Sequence, residues 1–396
     1  MEDGFFEKEI SGGWSGVVCL MFYQPWRMQM KAKGWISDLR VYEPGKPIEE
    51  VARELGFDDI AEIVKVASNE NELGPSPLAV EAMREAMGEM HRYPDGGAFY
   101  LKRKLAKKLG VAPENLLFGC GSNELIVFLC HVFLERGLNL VMGAEAFAVY
   151  FLAASLYEGE TIRVPMPGHV HDLDAMLAAI TPETRIVAVC NPNNPTGTMV
   201  SAEAIDRFIE KLPNHVVAVF DEAYFEVMPE DQKPDVLKHI RAGKENIVVL
   251  RTFSKAYGLA GLRIGYAVAH SGLIELLNKV RQPFNANAMA QAAAMAALDD
   301  VTHLVETREM VFQGLEFFER ELPKIGVETV PSGANFILVK TGNGRTVFQE
   351  LQKRKVIVRP MDPYGLPEYI RITIGTPAQN QTMLDALREV LANIDS

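Results

Sequence analysis

The chain has 396 residues, of which 48% are hydrophobic and 23% charged, and this composition is typical of a globular protein with a large buried core. Its formal net charge of −12 at pH 7 argues against nonspecific binding to nucleic acid or to an anionic membrane. Four scattered cysteines predict neither a disulfide framework nor a metal site, and they favour a reducing, cytoplasmic location. The apolar stretch 14–26 is too short for a membrane span and follows acidic residues, so we predict neither membrane insertion nor export.

The pattern of the chain changes near residue 36. Residues 1–36 contain every tryptophan and show no clear period, so we expect a poorly ordered N-terminal extension. We expect residues 37–75 to form a segment that joins the smaller domain, residues 76–298 a large domain, and residues 299–396 a small C-terminal α+β domain.

Beyond this point the predicted elements are regular. Apolar residues at helical spacing predict helices at 80–90 and 100–109. Short apolar runs then predict seven strands, at 116–118, 138–142, 161–164, 186–190, 216–220, 247–250 and 264–268. Further helices are predicted at 123–134, 146–156, 173–180, 202–212, 271–280, 288–298 and 301–322. This alternation predicts an α/β fold with a mainly parallel seven-stranded sheet between helices, and strands at 336–339, 356–358 and 370–374 predict the α+β domain.

The segment 251–263 (Arg-Thr-Phe-Ser-Lys-Ala-Tyr-Gly-Leu-Ala-Gly-Leu-Arg) places an amine beside groups that suit a phosphate. A buried lysine at Lys255 loses its proton easily and can form a Schiff base with an aldehyde. The hydroxyls of Thr252 and Ser254 and the guanidinium of Arg263 suit the phosphate of the same ligand. An aldehyde and a phosphate on one molecule describe pyridoxal phosphate. Taken alone, the segment favours a surface lysine–arginine pair beside a glycine-rich turn, so the prediction depends on the other segments.

A glycine turn, Gly-Cys-Gly-Ser-Asn-Glu at 119–124, lies between a predicted strand and a predicted helix. Such a turn presents free backbone N–H groups and the positive end of the helix dipole to a phosphate. This interpretation selects Gly121, Ser122 and Asn123. The alternative is a tight turn in which Ser122 is the N-cap, and the sequence does not separate the two.

Two further strings follow predicted strands. Asn-Pro-Asn-Asn-Pro-Thr-Gly at 191–197 has the composition of a rigid turn, but an amide such as that of Asn194 could also donate to a phenolate oxygen. Asp221 follows a wholly apolar strand, where an unpaired carboxylate is costly. A protonated pyridine nitrogen would be a suitable partner, because the ion pair keeps the ring cationic and able to accept electrons. Tyr224 can reach the adjacent ring oxygen, whereas the alternative role for Asp221 is to cap a helix.

Two arginines lie within predicted apolar strands. Arg371 stands in Glu-Tyr-Ile-Arg-Ile-Thr-Ile-Gly and Arg359 in Val-Ile-Val-Arg-Pro. A buried arginine needs an anion, and its planar fork suits a carboxylate. Two inward-facing arginines suggest a substrate with two anionic groups. Either could instead lie on an edge strand in solvent, and for Arg359 the sequence does not separate the two interpretations.

In this order and spacing, these strings resemble the pyridoxal-phosphate-dependent aminotransferases of fold type I, the aspartate aminotransferase superfamily. The strings at 42–50, 67–77, 91–97, 171–174, 331–336 and 375–380 are similar to those of histidinol-phosphate aminotransferases. The resemblance extends from about residue 40 to the C-terminus. It implies a large cofactor-binding domain with a seven-stranded sheet and a smaller α+β domain.

The resemblance also implies roles for individual residues. Lys255 would form the Schiff base, Asp221 would pair with the pyridinium, and Asn194 and Tyr224 would hold the ring oxygen. The cofactor phosphate would be bound by Gly121, Ser122, Asn123, Thr252, Ser254 and Arg263. Phe147 would stack on the ring, and Tyr93 would reach the cofactor of the neighbouring subunit, which makes a homodimer part of the site. The substrate would lie near Tyr42, Asn335, Arg359 and Arg371.

The reaction that the resemblance implies is transfer of an amino group from L-glutamate to imidazole acetol phosphate, which gives L-histidinol phosphate in histidine biosynthesis. The alternatives are transamination of aromatic amino acids, a related decarboxylase acting on a phosphothreonine, and a ligand sensor without enzyme activity. Two departures from the family pattern leave the substrate preference more open than the reaction type. Glu72 replaces a proline, and Gly-Ala-Glu-Ala at 143–146 replaces a proline-containing turn.

Overall fold

The structure is a computed structural model that describes residues 32–39, 41 and 45–394. The predicted extension up to residue 31 and the predicted substrate residue Tyr42 therefore lie outside the described residues. The described residues belong to two units, which divide after residue 38. The described part of the first unit contains the 3₁₀ helix Gly34–Asp38.

The second unit contains all the longer helices and strands that the structure describes. Its helices are α1 (Ile48–Leu55), α2 (Pro77–Ala86), α3 (Phe99–Leu109), α4 (Ser122–Phe133), α5 (Val149–Leu156), α6 (Leu173–Ala178), α7 (Ala202–Lys211), α8 (Leu237–Arg241), α9 (Ser271–Val280), α10 (Ala288–Ala297), α11 (Val301–Glu321), α12 (Gly344–Lys353) and α13 (Pro377–Ile394). Its strands are β1 (Val64–Lys65), β2 (Leu116–Gly119), β3 (Asn139–Gly143), β4 (Glu160–Val164), β5 (Thr184–Cys190), β6 (Val217–Asp221), β7 (Ile247–Thr252), β8 (Gly265–Ala269), β9 (Glu328–Val330), β10 (Phe336–Lys340), β11 (Val356–Ile357), β12 (Arg359–Pro360) and β13 (Tyr369–Thr373).

The predicted seven-stranded sheet is present, with the strand order β2-β8-β7-β6-β5-β3-β4. The pairs β3–β4, β3–β5, β5–β6 and β6–β7 are parallel. Strand β8 is antiparallel to both of its neighbours, β2 and β7. The α/β architecture that the alternation of strands and helices predicted is therefore confirmed.

The two faces of this sheet are buried in different hydrophobic clusters. Along β6, Ala218 and Phe220 pack with α2, α3, α7 and α10, whereas Val219 packs with α4, α5 and α9. Successive side chains of a strand point to opposite faces, so a strand that is covered on both faces has an apolar residue at every position. The wholly apolar run before Asp221, which predicted this strand, is explained by its burial on both faces.

Several helices begin at residues that favour a helix start. Ser76 Oγ accepts a hydrogen bond from the backbone N–H of Ala79, and Pro77 occupies the first turn of α2. The side chains of Asn287 and Asp300 accept equivalent bonds at the starts of α10 and α11. These caps satisfy backbone donors that have no partner inside the helix.

The C-terminal part of the chain forms an antiparallel sheet with the order β12-β13-β10-β9. Helices α11, α12 and α13 pack against it around residues such as Phe318, Phe336 and Leu387. Val51 of α1 and Val66, which follows β1, belong to the same cluster, so the N-terminal segment contributes to this second core. The domain boundaries at residues 75 and 298 stay a prediction. None of the helices among the described residues is both long enough and apolar enough to cross a membrane.

Candidate active site

A cavity of about 430 Å³ lies at the carboxyl ends of the parallel strands β5, β6 and β7. Ligands of α/β sheets commonly bind in this position, because the loops and helix N-termini converge there. Twelve predicted site residues line it: Ser122, Asn123, Phe147, Asn194, Asp221, Tyr224, Thr252, Ser254, Lys255, Arg263, Arg359 and Arg371. Residues from widely separated segments are thus brought to one place.

The start of helix α4 and the turn after β7 form one end of the cavity. Gly121, at φ 75°, is the N-cap of α4, and Ser122 is the first helical residue. The alternative of Ser122 as the N-cap is therefore wrong. A Cβ atom at Gly121 would lie 2.5 Å from Nη2 of Arg263, so a side chain there would displace the guanidinium. The Thr252 hydroxyl donates to Ser254 Oγ at 2.9 Å, and these groups together create a cradle for a dianion.

Lys255 borders the cavity from the turn after β7. Its Nζ atom donates to the backbone oxygen of Ser68 at 3.2 Å. Burial, and after it the positive charge of Arg371, lowers the pKa of Lys255 to about 8. A neutral, nucleophilic amine is therefore accessible near physiological pH.

Asp221 is the last residue of β6 and is only 5% exposed. Its carboxylate accepts hydrogen bonds from the backbone N–H of Ala223 at 3.2 Å and from the Tyr150 hydroxyl at 3.1 Å. Burial raises the pKa of Asp221 to about 6 in spite of these donors. The carboxylate closes a short turn with Ala223, but the next helix, the 3₁₀ helix Phe225–Val227, has Tyr224 as its N-cap, so the alternative of Asp221 as a helix cap is wrong. Asp221 also lines the cavity, where a cationic partner would stabilise its carboxylate.

Tyr224 lies beside Asp221 and is 4% exposed. Its hydroxyl accepts a hydrogen bond from Nδ2 of Asn69 at 2.8 Å. Burial raises the pKa of Tyr224 above its usual range, so the hydroxyl keeps its proton and can donate to an oxygen in the cavity. Asn194 approaches from the loop after β5, where its Oδ1 accepts a bond from Arg371.

Arg359 and Arg371 close the opposite side of the cavity. They are 9% and 6% exposed and pair in register on β12 and β13. The Arg371 guanidinium donates to Oδ1 of Asn194 at 2.6 Å and to the backbone oxygen of Ala67 at 2.8 Å. Both arginines are therefore inward-facing, and the alternative of an edge arginine in solvent is wrong for each.

Other predicted residues lie outside the lining of this cavity. Asn335 is 4% exposed, and its side chain donates to the backbone oxygen of Asn69 at 3.1 Å, so within this chain it supports the cavity wall. Tyr93 is 83% exposed and stacks on Phe284 with ring centroids 4.7 Å apart. Its predicted role in a neighbouring subunit, like the remaining residue roles, stays a prediction.

The two departures from the family pattern also lie outside the set of described residues that line the cavity. Glu72 accepts a hydrogen bond from Nε2 of Gln379 at 2.6 Å. Glu145 contacts Nδ1 of His169 at 2.6 Å, and Nε2 of the same ring lies 3.2 Å from the Tyr369 hydroxyl. Glu145 thus connects the loop before Phe147 to strand β13, which carries Arg371.

Among the polar residues at the site that sequence analysis missed are Asn69 and Tyr150. Asn69 lines the cavity and holds Tyr224, but it stands in a string that was used only for its resemblance. Tyr150 is buried behind Asp221, and no motif in the sequence marks it. A tyrosine on an apolar helix is interpreted as a core residue as long as its hydrogen-bond partner is unknown.

The groups that line the cavity fit pyridoxal phosphate. The cradle of hydroxyls, helix N-terminus and Arg263 suits its phosphate, and the buried carboxylate of Asp221 suits a protonated ring nitrogen. Tyr224 and Asn194 present hydrogen-bonding groups for the ring oxygen. Lys255 supplies an amine whose lowered pKa suits reaction with the aldehyde.

Comparison with known proteins agrees with this geometry. Residues 61–387 match the family described as Aminotransferase class I and II. The histidinol-phosphate aminotransferase of Akkermansia muciniphila is 49% identical over 357 residues, which cover 90% of this chain and 97% of that protein. That of Moorella thermoacetica is 47% identical over 363 residues, 91% of this chain and 93% of that protein.

A solved structure, histidinol-phosphate aminotransferase from Sinorhizobium meliloti in complex with pyridoxal-5'-phosphate, superposes with a TM-score of 0.85. It is 30% identical and covers 92% of this chain and 98% of its own. The predicted fold type is thereby confirmed, and with it the family resemblance and the cofactor. The chain belongs to the class I and II aminotransferase family.

Proposed function

We propose that this protein is a histidinol-phosphate aminotransferase, which uses pyridoxal phosphate to exchange an amino group between L-histidinol phosphate and 2-oxoglutarate. The main structural support is the pair of buried arginines, Arg359 and Arg371, in the cavity that Lys255 borders. Histidinol phosphate has a phosphate and no carboxylate, whereas 2-oxoglutarate has two carboxylates. Two guanidinium groups suit both substrates. Relatives that are 47% and 49% identical carry the same name.

The chain's own residues have distinct roles in this proposal. When bound, pyridoxal phosphate supplies an aldehyde for the amino group and a cationic ring that accepts electron density. Asp221 holds the ring nitrogen in its protonated form, because a buried carboxylate gains most from a cationic partner. Tyr224 and Asn194 hold the ring oxygen, and Arg359 and Arg371 orient the substrate through its anionic groups.

Lys255 moves the proton in this proposal. With a pKa of about 8, its amine would take the proton from the substrate α-carbon and deliver it to the cofactor carbon that carried the aldehyde. Burial makes the neutral form of this amine accessible near neutral pH, because desolvation disfavours the charged form. Phe147 lines the cavity and would exclude water from one face of the ring.

We also propose a homodimer, with Tyr93 as a ligand in the neighbouring site. Large apolar side chains near Tyr93 support such an interface, since Met90, Phe99, Tyr100 and Phe284 are 44%, 49%, 71% and 44% exposed. We further propose a cytoplasmic location, which the free thiols of Cys120, Cys130 and Cys190 support.

The test is a set of half-reactions that follow the visible absorbance of the bound cofactor in purified protein. L-histidinol phosphate, L-phenylalanine and L-glutamate are compared by their efficiency of conversion to the amine form. A strong preference for histidinol phosphate over phenylalanine is expected. Comparable conversion with phenylalanine would instead support aromatic transamination, and carbon dioxide release from a phosphorylated amino acid would support the decarboxylase.

Lys255→Ala provides the matched control for these half-reactions. The variant should bind the cofactor weakly and show no turnover, because it lacks the Lys255 amine, which both reacts with the aldehyde and carries the proton. Near-normal turnover in this variant would contradict the assignment of Lys255.

A further inference from the structure

Tyr150 lies behind the cavity and contacts its buried carboxylate. Its hydroxyl donates to Oδ2 of Asp221 at 3.1 Å, and its side chain is 1% exposed. Tyr150 is on α5, the helix that begins just after Phe147 of the cavity lining. The same short segment therefore contributes Phe147 to the wall of the cavity and the Tyr150 hydroxyl as a hydrogen-bond donor to Asp221.

The surroundings of Tyr150 are otherwise apolar. It packs in a cluster with Leu129, Cys190 and Val219, where phenylalanine would fit as well in shape. A buried hydroxyl is unfavourable unless it forms a hydrogen bond, so the Asp221 carboxylate explains why a tyrosine is tolerated here. Burial, and after it the charge of Asp221, raises the pKa of Tyr150 well above its usual range. The hydroxyl therefore keeps its proton and remains a hydrogen-bond donor near neutral pH.

Four titratable groups act on Asp221 or lie beside it, on different elements. They are Tyr150 on α5, Cys190 at the end of β5, Tyr224 after β6 and Lys255 after β7. Tyr150 supplies the one side-chain hydrogen bond that the carboxylate accepts among the described residues, and Ala223 supplies a backbone bond. Lys255 acts on it through charge alone.

We propose that Tyr150 is a positioning residue whose hydroxyl keeps the Asp221 carboxylate ionised and directed into the cavity, ready to pair with a protonated ring nitrogen. This inference rests on the proposed function, because it assigns the partner of that nitrogen. A hydrogen bond to the charged form stabilises it, so removal of the hydroxyl favours the protonated acid. An acid that has gained a proton no longer holds a cationic ring.

Ionisation of Asp221 makes the affinity for the cofactor depend on pH. The pKa of Asp221 is about 6, so cofactor affinity is high above this pH and declines as the pH falls through it. Tyr150→Phe raises the pKa of Asp221 further, and the decline then begins at a higher pH. Loss of one hydrogen bond to a charged group moves the midpoint by about one pH unit.

The experiment measures the affinity of pyridoxamine phosphate for the cofactor-free protein as a function of pH. This ligand carries the ring and the phosphate but no aldehyde, so reaction with Lys255 does not contribute. The wild type is compared with Tyr150→Phe and with Tyr157→Phe. Tyr157 follows α5 and stacks on His131 with centroids 4.8 Å apart, so it controls for removal of a hydroxyl next to the same helix.

The expected result is a midpoint about one pH unit higher in Tyr150→Phe and unchanged in Tyr157→Phe. At pH values well above both midpoints, affinity should agree with the wild type within about threefold, because the carboxylate is then ionised in each protein. A purely structural role would lower affinity at every pH and leave the midpoint unmoved. An unmoved midpoint in a folded Tyr150→Phe protein would overturn the inference.

A double-mutant cycle provides the second test. In an Asp221→Asn background there is no carboxylate to ionise, so adding Tyr150→Phe should leave the pH dependence of affinity unchanged. A midpoint shift that persists there would show that Tyr150 acts through another group and would also overturn the inference. Failure of the proposed function is distinguishable from failure of the Tyr150 inference. A wild-type protein that binds no pyridoxamine phosphate would contradict the proposed function directly.

Discussion

Arg359 and Arg371 lie directly opposite each other on the antiparallel strands β12 and β13, and both side chains line the cavity that Lys255 borders. Opposite residues of an antiparallel pair project to the same face of the sheet. Two buried cations at such a spacing repel each other unless anionic groups lie between or beside them. Because both guanidinium groups line the cavity, they are placed to bind the anionic groups of a substrate there.

Removal of the Arg359 charge should reduce the half-reaction efficiency with one substrate much more than with the other. We expect Arg359→Met to reduce the efficiency of the half-reaction with L-histidinol phosphate by about 10- to 100-fold, because a charge-assisted contact to phosphate is lost. The loss with L-phenylalanine should be much smaller. Single-turnover kinetics with both amines would check this, and equal losses with the two would contradict a phosphate-specific role.

The pKa of Lys255 should control the rate at which the cofactor-free protein takes up pyridoxal phosphate. The lowered pKa of about 8 means that the reactive neutral amine is the minor form at neutral pH and the major form above pH 8. The rate should therefore rise with pH through this value, as followed by the visible absorbance of the bound cofactor.

Arg371 should contribute to this lowered pKa through its charge. We expect Arg371→Met to move the midpoint of the uptake rate to higher pH, because the protonated amine is then less disfavoured. Lys279→Met, on the exposed surface of α9, is the matched control and should leave the midpoint unchanged. A midpoint that Arg371→Met does not move would contradict this contribution of Arg371 to the pKa of Lys255.

A shared active site can be tested by mixing inactive subunits. If Tyr93 serves the neighbouring site, a hybrid of Lys255→Ala and Tyr93→Ala subunits contains one site with both native residues. Mixing and reassociating the two variants should recover up to about a quarter of wild-type activity, since random pairing makes half the dimers hybrid and each has one intact site. No recovery, despite hybrids detected by mass spectrometry, would contradict the predicted role of Tyr93.

His171 should reduce the stability of the fold in acid. It is 5% exposed, and burial lowers its pKa from 6.5 to about 4. Between these values the unfolded chain binds a proton that the folded chain does not, so the free energy of unfolding falls as the pH falls. The change at pH 5 is about 2 kcal/mol relative to neutral pH.

His171→Gln should remove this component of the acid sensitivity. Chemical denaturation of the wild type and the variant at neutral pH and at pH 5 would measure it, since the pH-independent cost of the substitution cancels in the comparison. His215→Gln changes an exposed histidine and is the control. The same acid sensitivity in His171→Gln and in the wild type would show that other groups dominate.

Much of the fold could be predicted because its signals are local. The apolar runs that became β5, β6 and β7, and the segments that became α9 and α11, were found within a few residues of their bounds. Helices α12 and α13 went unassigned, although Asn343 begins α12 with a capping bond. Strand β9 is only three residues long, which is too short for a period to appear.

The sequence by itself determined the chemical groups of the site and their order along the chain. The strings that contain Lys255, Asp221 and Arg371 each allowed an ordinary structural interpretation when taken alone, and only their order and spacing together indicated one site. Only the tertiary structure decided which groups meet, because these contacts join residues far apart in the chain. Tyr150 and Asp221 are separated by 71 positions, and Arg371 and Ala67 by 304. No local pattern encodes such a contact, and the hydroxyl of a buried tyrosine acquires its role only from the carboxylate that folding places beside it.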